Sequence, residues 1–242
     1  MNRLMFGLIM AVIFVFESSA QQHPREATEW IVSYSFNANK SDLPRVLLIG
    51  DSICNQYRDE VKTALAGRAY VTFFATSKCL NDTSYLRTLE FFLDEYAYDV
   101  IHFNNGLHSL GSDRVNWEKN LRAALHLIQR KVPKAKVIWA QSTPLKSPEL
   151  TARAKELNAI AARVMAEEKI PVDDLFARMD PLERETYWSD TYHYKKEGVQ
   201  ILGKAVSDCC LAALGCTPAS ASEAKKALDA AATETGPAGK LK

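Results

Sequence analysis

The sequence predicts a three-layer α/β/α sandwich built on a central parallel sheet of about five strands in flavodoxin-like order. Two observations carry that expectation. Short apolar runs rich in β-branched and aromatic residues alternate with longer stretches whose apolar residues recur at helical spacing, the signature of repeated strand–helix units. The 242 residues, 47% hydrophobic and 24% charged, also suit one domain with a full core.

The elements follow in order. Val46 to Ile49 reads as a buried strand, broken sharply by Gly50-Asp51-Ser52, and Gln56 to Gly67 is helix-like with glycine as its stop. Ala69 to Phe74 is a second strand, rich in β-branched and aromatic residues. Ser84 to Tyr96 carries Leu86, Leu89, Phe92, Leu93 and Tyr96 at helical spacing, and Asp99 to Asn104 is a third strand. Val115 to Lys131 is a helix with Leu121, Leu125 and Ile128 on one face. Ala135 to Ala140 is a fourth strand and Glu149 to Lys169 a long helix. Ile170-Pro171-Val172 forms a short fifth strand, and Tyr194 to Leu214 the closing helix. No internal repeat is visible.

The two ends lie outside this alternation. Arg3 precedes the apolar run Leu4 to Phe16, and Ser18-Ser19-Ala20 supplies small residues before Gln21, so residues 1–20 are expected to be a secretory signal. The run is short for a bilayer span, and no cysteine follows the cleavage site to carry a lipid. A secreted or periplasmic protein with no membrane span in its mature chain is the consequence. Residues 21–44 are polar and irregular, an N-terminal arm packed on the domain, which occupies residues 45–216. Residues 217–242, rich in Ala, Lys, Thr and Gly, are a low-complexity tail with no assigned role. A formal net charge of +1 without long blocks of like charge argues against nucleic acid or an anionic membrane surface as a partner.

Five cysteines in an exported chain cannot all pair internally. Cys209, Cys210 and Cys216 lie close together, which makes a local disulfide involving Cys216 an expectation in an oxidising compartment. Cys54 and Cys79 each follow one of the first two strands, which can bring them near each other. The connectivity stays open. No Cys-x-x-Cys or paired His/Cys spacing marks a zinc site.

The chemistry sits at the strand ends. A serine at the carboxyl end of the first strand of an open α/β sheet, Ser52, stands where such sheets bind ligands. Near the other end of the chain, Asp190-Thr-Tyr-His193 is an Asp-x-x-His step in which the carboxylate can orient the imidazole. Serine, histidine and aspartate are the parts of an acyl-transfer triad, in which the histidine takes the proton of an otherwise weak hydroxyl nucleophile.

Each residue also has a plainer reading. Ser52 can be a helix cap. Asp51 can be a phosphoryl-accepting aspartate, but nothing acidic in the preceding strand would hold magnesium, and bonding the loop backbone suits it better. Cys54 can be a nucleophile at a helix start, yet no separate base is placed for it. His102, inside a strand, reads as a core residue, while His126 and His23 read as exposed. Tyr187, Trp188, Tyr192 and Tyr194 crowd the Asp-His step, either to hold a sugar ring or acyl chain or to pack the loop onto the sheet.

Taken together these motifs resemble those of the SGNH or GDSL hydrolases. Gly50-Asp51-Ser52 is similar to the family's first block, Asp190-Thr-Tyr-His193 to its last, and Asp99-Val-Ile-His-Phe-Asn-Asn-Gly106-Leu-His108-Ser109 to its third. The resemblance covers Arg45 to Leu214. It implies hydrolysis of carboxylic esters, often acetyl groups on carbohydrates, without metal or organic cofactor. Ser52, Asp190 and His193 are then the catalytic residues, and Asn105, Gly106, His108 and Asn81 the oxyanion and binding set.

Two departures stand out. The second-block loop, Thr76 to Thr83, has no glycine where the family uses one as a backbone donor. In the third block His108 replaces the family's asparagine and Ser109 its aspartate; an imidazole N–H can donate to an oxyanion as an amide does.

The leading expectation is an exported serine esterase acting on a small-molecule or glycan ester. Its alternatives are an acyltransferase with the same triad and a non-catalytic carbohydrate-binding protein on the same fold. A flavodoxin-like cofactor binder is weaker, because the first loop lacks a Ser/Thr/Gly run to wrap a phosphate.

Overall fold

Apolar residues on both faces of one strand require a sheet covered on both sides. The run Arg45–Gly50 (β2), buried throughout, occupies that position in the computed structural model of the chain, which describes residues 26–217. Before it comes β1 (Ile31–Ser35). After it follow α1 (Ser52–Ala64), β3 (Tyr70–Thr76), α2 (Tyr85–Glu95), β4 (Val100–Phe103), a one-turn 3-10 helix (Leu107–Ser109) and α3 (Arg114–Lys131). The rest is β5 (Lys136–Ala140), α4 (Pro148–Glu168), β6 (Val172–Asp173), α5 (Leu175–Met179), α6 (Arg184–Tyr187) and α7 (Lys196–Leu214). The expected secretory signal, His23 and the tail beyond Thr217 lie outside the described residues.

The sheet order is β1-β3-β2-β4-β5-β6. All neighbours pair in parallel except β1 with β3. The five parallel strands therefore have the flavodoxin-like order expected of them. Side chains alternate between two cores, as a pleated strand demands. Leu47, Ile49, Ile101 and Phe103 point to the layer of α2, α3 and α4, where they meet Leu89, Leu121, Leu125 and Leu157. Val46, Leu48, Val71 and Phe73 point the other way, to Tyr57 and Val61 of α1 and Leu202 and Val206 of α7. Leu48 has no exposed surface, so Leu48→Ala is expected to cost about 2–5 kcal/mol, transfer term plus cavity. Urea unfolding, read as a lower midpoint at constant slope, measures it.

The sixth strand corrects the reading of residues 21–44 as an irregular arm. β1 lies in that segment and adds antiparallel to β3, with Ile31 opposite Thr76 and Ser35 opposite Thr72. It escapes a periodicity reading because it is an edge strand, half exposed, with Ile31 and Tyr34 turned to solvent. Arg45 ties the chain after it back to the sheet. Its guanidinium donates to the carbonyls of Phe36, Asn37 and Lys40 at 3.0, 2.9 and 3.2 Å.

The cysteines need a second correction, for all five are free thiols. Cys54 and Cys210 are buried in the α1–α7 core. Cys79 instead accepts a hydrogen bond from Ser112 Oγ, at 3.7 Å, in the loop before α3. Among the described residues no helix is long and apolar enough to cross a membrane.

Candidate active site

The strand-to-helix turn that carries Ser52 is tight enough to exclude a side chain at its first position. A Cβ on Gly50 would lie 2.6 Å from Cys54 Cβ. Asp51 is the N-cap of α1, its Oδ1 accepting from Ile53 N at 2.9 Å. Its Oδ2 accepts from Leu107 N at 3.2 Å, which fastens the turn to the loop after β4. Ser52 is thus freed from capping and stands, partly exposed, as the first residue of a thirteen-residue helix. The positive end of the helix dipole favours negative charge developing there.

The histidine arrives on a loop between α6 and α7 that is fixed from several sides. Trp188 and Tyr194 pair across it as an antiparallel bridge, and Ser189 N donates to His193 O at 2.9 Å. Tyr194 is buried against Trp188, with its hydroxyl donating to Pro144 O at 2.8 Å. From α1, Gln56 grips the residue after His193 at both ends of its amide. Nε2 donates to Tyr194 O at 3.1 Å and Oε1 accepts from Tyr194 N at 3.2 Å.

Asp190 both shapes this loop and faces the imidazole. Its Oδ1 accepts from the backbone N–H groups of Tyr192 and His193 at 2.7 and 2.8 Å, and its Oδ2 lies 2.9 Å from His193 Nδ1. His193 Nε2 is 2.8 Å from Ser52 Oγ. A carboxylate only accepts, so Nδ1 carries the hydrogen and Nε2 is left to accept from the serine hydroxyl. Desolvation works against the Asp190 charge. The N–H groups of His193 and Tyr192, with the His193 ring, outweigh it and hold the carboxyl below the usual aspartate range.

The remaining expected site residues divide. His108 follows Leu107, whose N–H bonds Asp51, but its own ring lies against Glu26 and Trp30. Gly106 is buried, and a Cβ there would fall 1.5 Å from Ser142 Oγ, so packing alone requires glycine. Asn105 is a loop staple: Oδ1 accepts from Leu80 N and Ser109 Oγ at 3.0 and 2.8 Å, while Nδ2 donates to Lys78 O at 3.0 Å. It joins the second-block loop to the third. Asn81 is turned to α3, bonded to Asp113 O and to Asn120. Those bonds engage both ends of its amide.

The plainer readings sort as well. Burial pushes the Cys54 thiol up to about 12, which leaves no thiolate at neutral pH to act as a nucleophile. His102 is fully buried, its Nε2 3.1 Å from Asp173 Oδ2. His126 is exposed beside Glu168. Of the four aromatics around the loop, Trp188 and Tyr194 are packing, Tyr187 is half-buried, and Tyr192 is exposed next to His193. Beneath the turn, a cavity of about 20 Å³ lined by Asp51, Asn104, Leu107, Ser142 and Thr143 has room for one water.

Gln56 was not anticipated, although a signal for it exists: four residues after Ser52, it shares the serine's face of α1. Gln56→Ala is expected to lower kcat roughly 10- to 100-fold with little change in KM, because a slackened Tyr194 lets His193 drift from its serine. Steady-state kinetics on an aryl ester measures this, and an unchanged kcat would show the clamp to be dispensable.

The fold agrees with what comparison finds. Residues 48–201 match the model of the GDSL-like Lipase/Acylhydrolase family, and the chain belongs to that family. No curated protein sequence matches it. Among solved structures it is similar to a lipase/acylhydrolase from Enterococcus faecalis, with 22% identity and TM-score 0.57, over 74% of this chain and 100% of that one. It is similar also to an acetylxylan esterase from Geobacillus stearothermophilus, with 14% identity and TM-score 0.60, over 74% of this chain and 97% of the other. A member of the lipolytic G-D-S-L family from Veillonella parvula gives 18% and 0.57, over 67% and 95%. At such identities the likeness is one of fold.

Proposed function

We propose that the protein is an exported serine esterase that hydrolyses carboxylic esters of small molecules or glycans, acetyl esters among them. The observation that carries the reading is the unbroken line from Ser52 Oγ to His193 Nε2 and from His193 Nδ1 to Asp190, at 2.8 and 2.9 Å.

In the proposed reaction Ser52 attacks the ester carbonyl as its proton passes to His193 Nε2. The imidazolium so formed is stabilised by the ionised Asp190 and then protonates the departing alcohol. Water, activated by the same nitrogen, releases the acid. The oxyanion forms at the amino end of α1, within reach of the helix's first N–H groups and of the loop that bears His108. Ser189 to Tyr192 are exposed, so water has open access to the acyl-enzyme, which favours hydrolysis over transfer.

A glycan acceptor side is supported by Tyr192, an exposed ring whose centroid lies 6.4 Å from that of His193. Likeness in fold to an acetylxylan esterase points the same way. Export rests on residues 1–20 of the sequence.

The test is direct. Purified protein is assayed on p-nitrophenyl acetate and butyrate and on acetylated xylan, and a fluorophosphonate adduct is mapped by mass spectrometry. Hydrolysis of at least the acetate ester, with the adduct on Ser52, is the expected result. No turnover together with an unlabelled Ser52 would reject it.

A further inference from the structure

The loop that carries His193 is fastened to a neighbouring segment with a concavity of its own. Lys146 N donates to Thr191 O at 3.0 Å, and the Tyr194 hydroxyl donates to Pro144 O at 2.8 Å. Leu145 and Lys146, with the first turns of α4 and Arg184 of α6, wall a cavity of about 270 Å³. Its buried lining is fixed. Leu145 N donates to Thr151 Oγ1 at 3.0 Å, and Thr151 Oγ1 donates to Leu145 O at 2.9 Å. The volume falls just short of the roughly 300 Å³ at which pockets for drug-sized molecules begin, so it fits one small group rather than a chain.

The charge of the lining is one-sided. Lys146, Lys155 and Arg184 border the cavity, and none of the described residues that line it is a carboxylate. Arg184 is committed elsewhere. Its Nη1 donates to Asp180 O and Leu182 O at 3.0 and 2.8 Å, its Nη2 to Asp180 Oδ1 at 2.7 Å, and its guanidinium lies 4.3 Å from the centre of the Trp188 ring. It supplies fixed positive charge rather than free donors. The two lysines are adaptable. Lys146 Nζ is 2.7 Å from Glu185, whose side chain is 75% exposed, and Lys155 Nζ is 3.7 Å from Asp180. An ammonium has three donors, so holding one carboxylate leaves others for a ligand. Exposed ion pairs contribute about 0–1 kcal/mol, so turning either lysine to a new anion costs little. Lys195 offsets Glu185 further, donating to its backbone carbonyl at 2.6 Å. The other charges on these elements are Glu149, paired with Arg153, and Glu183, which caps α6.

We propose that this cavity is an anion subsite of the substrate cleft, where Lys146 and Lys155 bind the acidic group of a glycan whose ester is presented to Ser52. The inference rests on the esterase reading above and narrows its substrate to sugars that carry a uronate or a sulfate. Position makes the link. Thr191, bonded to Lys146 N, stands two residues before His193, so one sugar unit at the serine and another in the cavity can belong to one chain. Lysines act as point charges on flexible stems and accept either anion, without the planar fork with which arginine selects carboxylates. Their field also gathers a polyanionic substrate, an effect that salt removes.

The first measurement needs no turnover. By isothermal titration calorimetry at low salt, deacetylated xylo-oligosaccharides bearing glucuronic acid should bind roughly tenfold tighter than unsubstituted ones of the same length, the gain of two charge-assisted contacts discounted for exposure. High salt should weaken that preference. Lys146→Ala/Lys155→Ala should abolish it, and Lys146→Arg/Lys155→Arg should keep it. Both side chains are exposed by a third or more, so the variants should fold, as thermal unfolding will show. A sulfated oligosaccharide of the same length identifies the anion. Tighter binding of the sulfate or of the uronate supports the site and names its acid. Equal binding of acidic and neutral oligosaccharides by the parent, or a preference that survives the double alanine substitution, overturns the inference.

The second measurement is the ratio of kcat/KM on acetylated glucuronoxylan to that on acetylated linear xylan. The double alanine variant should lower this ratio roughly tenfold, through KM rather than kcat, because uniform binding is what it loses. An unchanged ratio overturns the inference. No turnover of any ester by the parent, with the calorimetric preference intact, would count against the esterase reading and leave the anion subsite standing.

Discussion

Ser52→Ala is expected to fold normally and to lose roughly ten-thousandfold to a millionfold in kcat on an ester that the parent hydrolyses, leaving a residual rate above that of water. The size follows from the site's construction. Among the described residues only Ser52 Oγ is bonded to His193 Nε2, and removing it leaves the base with nothing to deprotonate except solvent. The residual comes from whatever substrate binding and oxyanion donors survive. Stability should stay within about 0.5 kcal/mol of the parent, the range of substitutions that disturb no structural feature. Asp51, not Ser52, caps α1, so the variant separates the two readings of a serine at a helix start: a cap would lower Tm and spare the rate. Titration with a fluorophosphonate gives the count of active sites, and thermal unfolding gives the stability. A variant with near-parental kcat would remove Ser52 from the chemistry.

The fold was legible wherever burial imposes a period. β2, β3 and the helices from α2 to α4 each bury enough surface to write their spacing into the sequence, as at Leu121, Leu125 and Ile128 on α3. β1 was illegible because an edge strand is paid for by one neighbour's hydrogen bonds and needs no apolar face on its outer side. α5 and α6 were missed for a different reason. They are five and four residues long, each begun by a side-chain cap at Asp174 or Glu183, and too short to show a helical repeat.

At the site, the residues that act through type and chain order could be read, and those that act through space could not. Ser52, Asp190 and His193 combine a strand end with an Asp-x-x-His step, and the structure brings them together. The second-block loop carried no such signal. Its asparagine, Asn81, faces α3, while Asn105 secures the loop by bonding Leu80 N and Lys78 O. Glu26, one of several polar residues before β1, is 82 positions from His108 in sequence, and only the fold brings the two side chains together.

Asp190→Asn is the second large effect expected, a loss of roughly a thousandfold to ten-thousandfold in kcat. The amide keeps the loop, since its oxygen can go on accepting from the N–H groups of Tyr192 and His193 as Oδ1 does now. What changes is the atom facing the ring. Where Oδ2 now accepts from Nδ1 at 2.9 Å, an NH₂ group would donate, so Nδ1 must accept and the hydrogen moves to Nε2. An Nε2–H points a proton at Ser52 Oγ instead of a lone pair, and the base is lost in the tautomer rather than in the geometry. Asp190 is exposed, so water can stand in for part of its orienting role, which puts the expected loss below that of Ser52→Ala. In the parent, the carboxyl is held below the usual aspartate range by the backbone N–H groups and the imidazole, against desolvation. It is therefore ionised through the neutral range, and the substitution removes a full negative charge from beside the ring. Steady-state kcat on an aryl ester, with thermal unfolding as the control for the fold, measures the loss. A variant as active as the parent would make Asp190 a loop residue and leave His193 to be oriented by the Gln56–Tyr194 clamp.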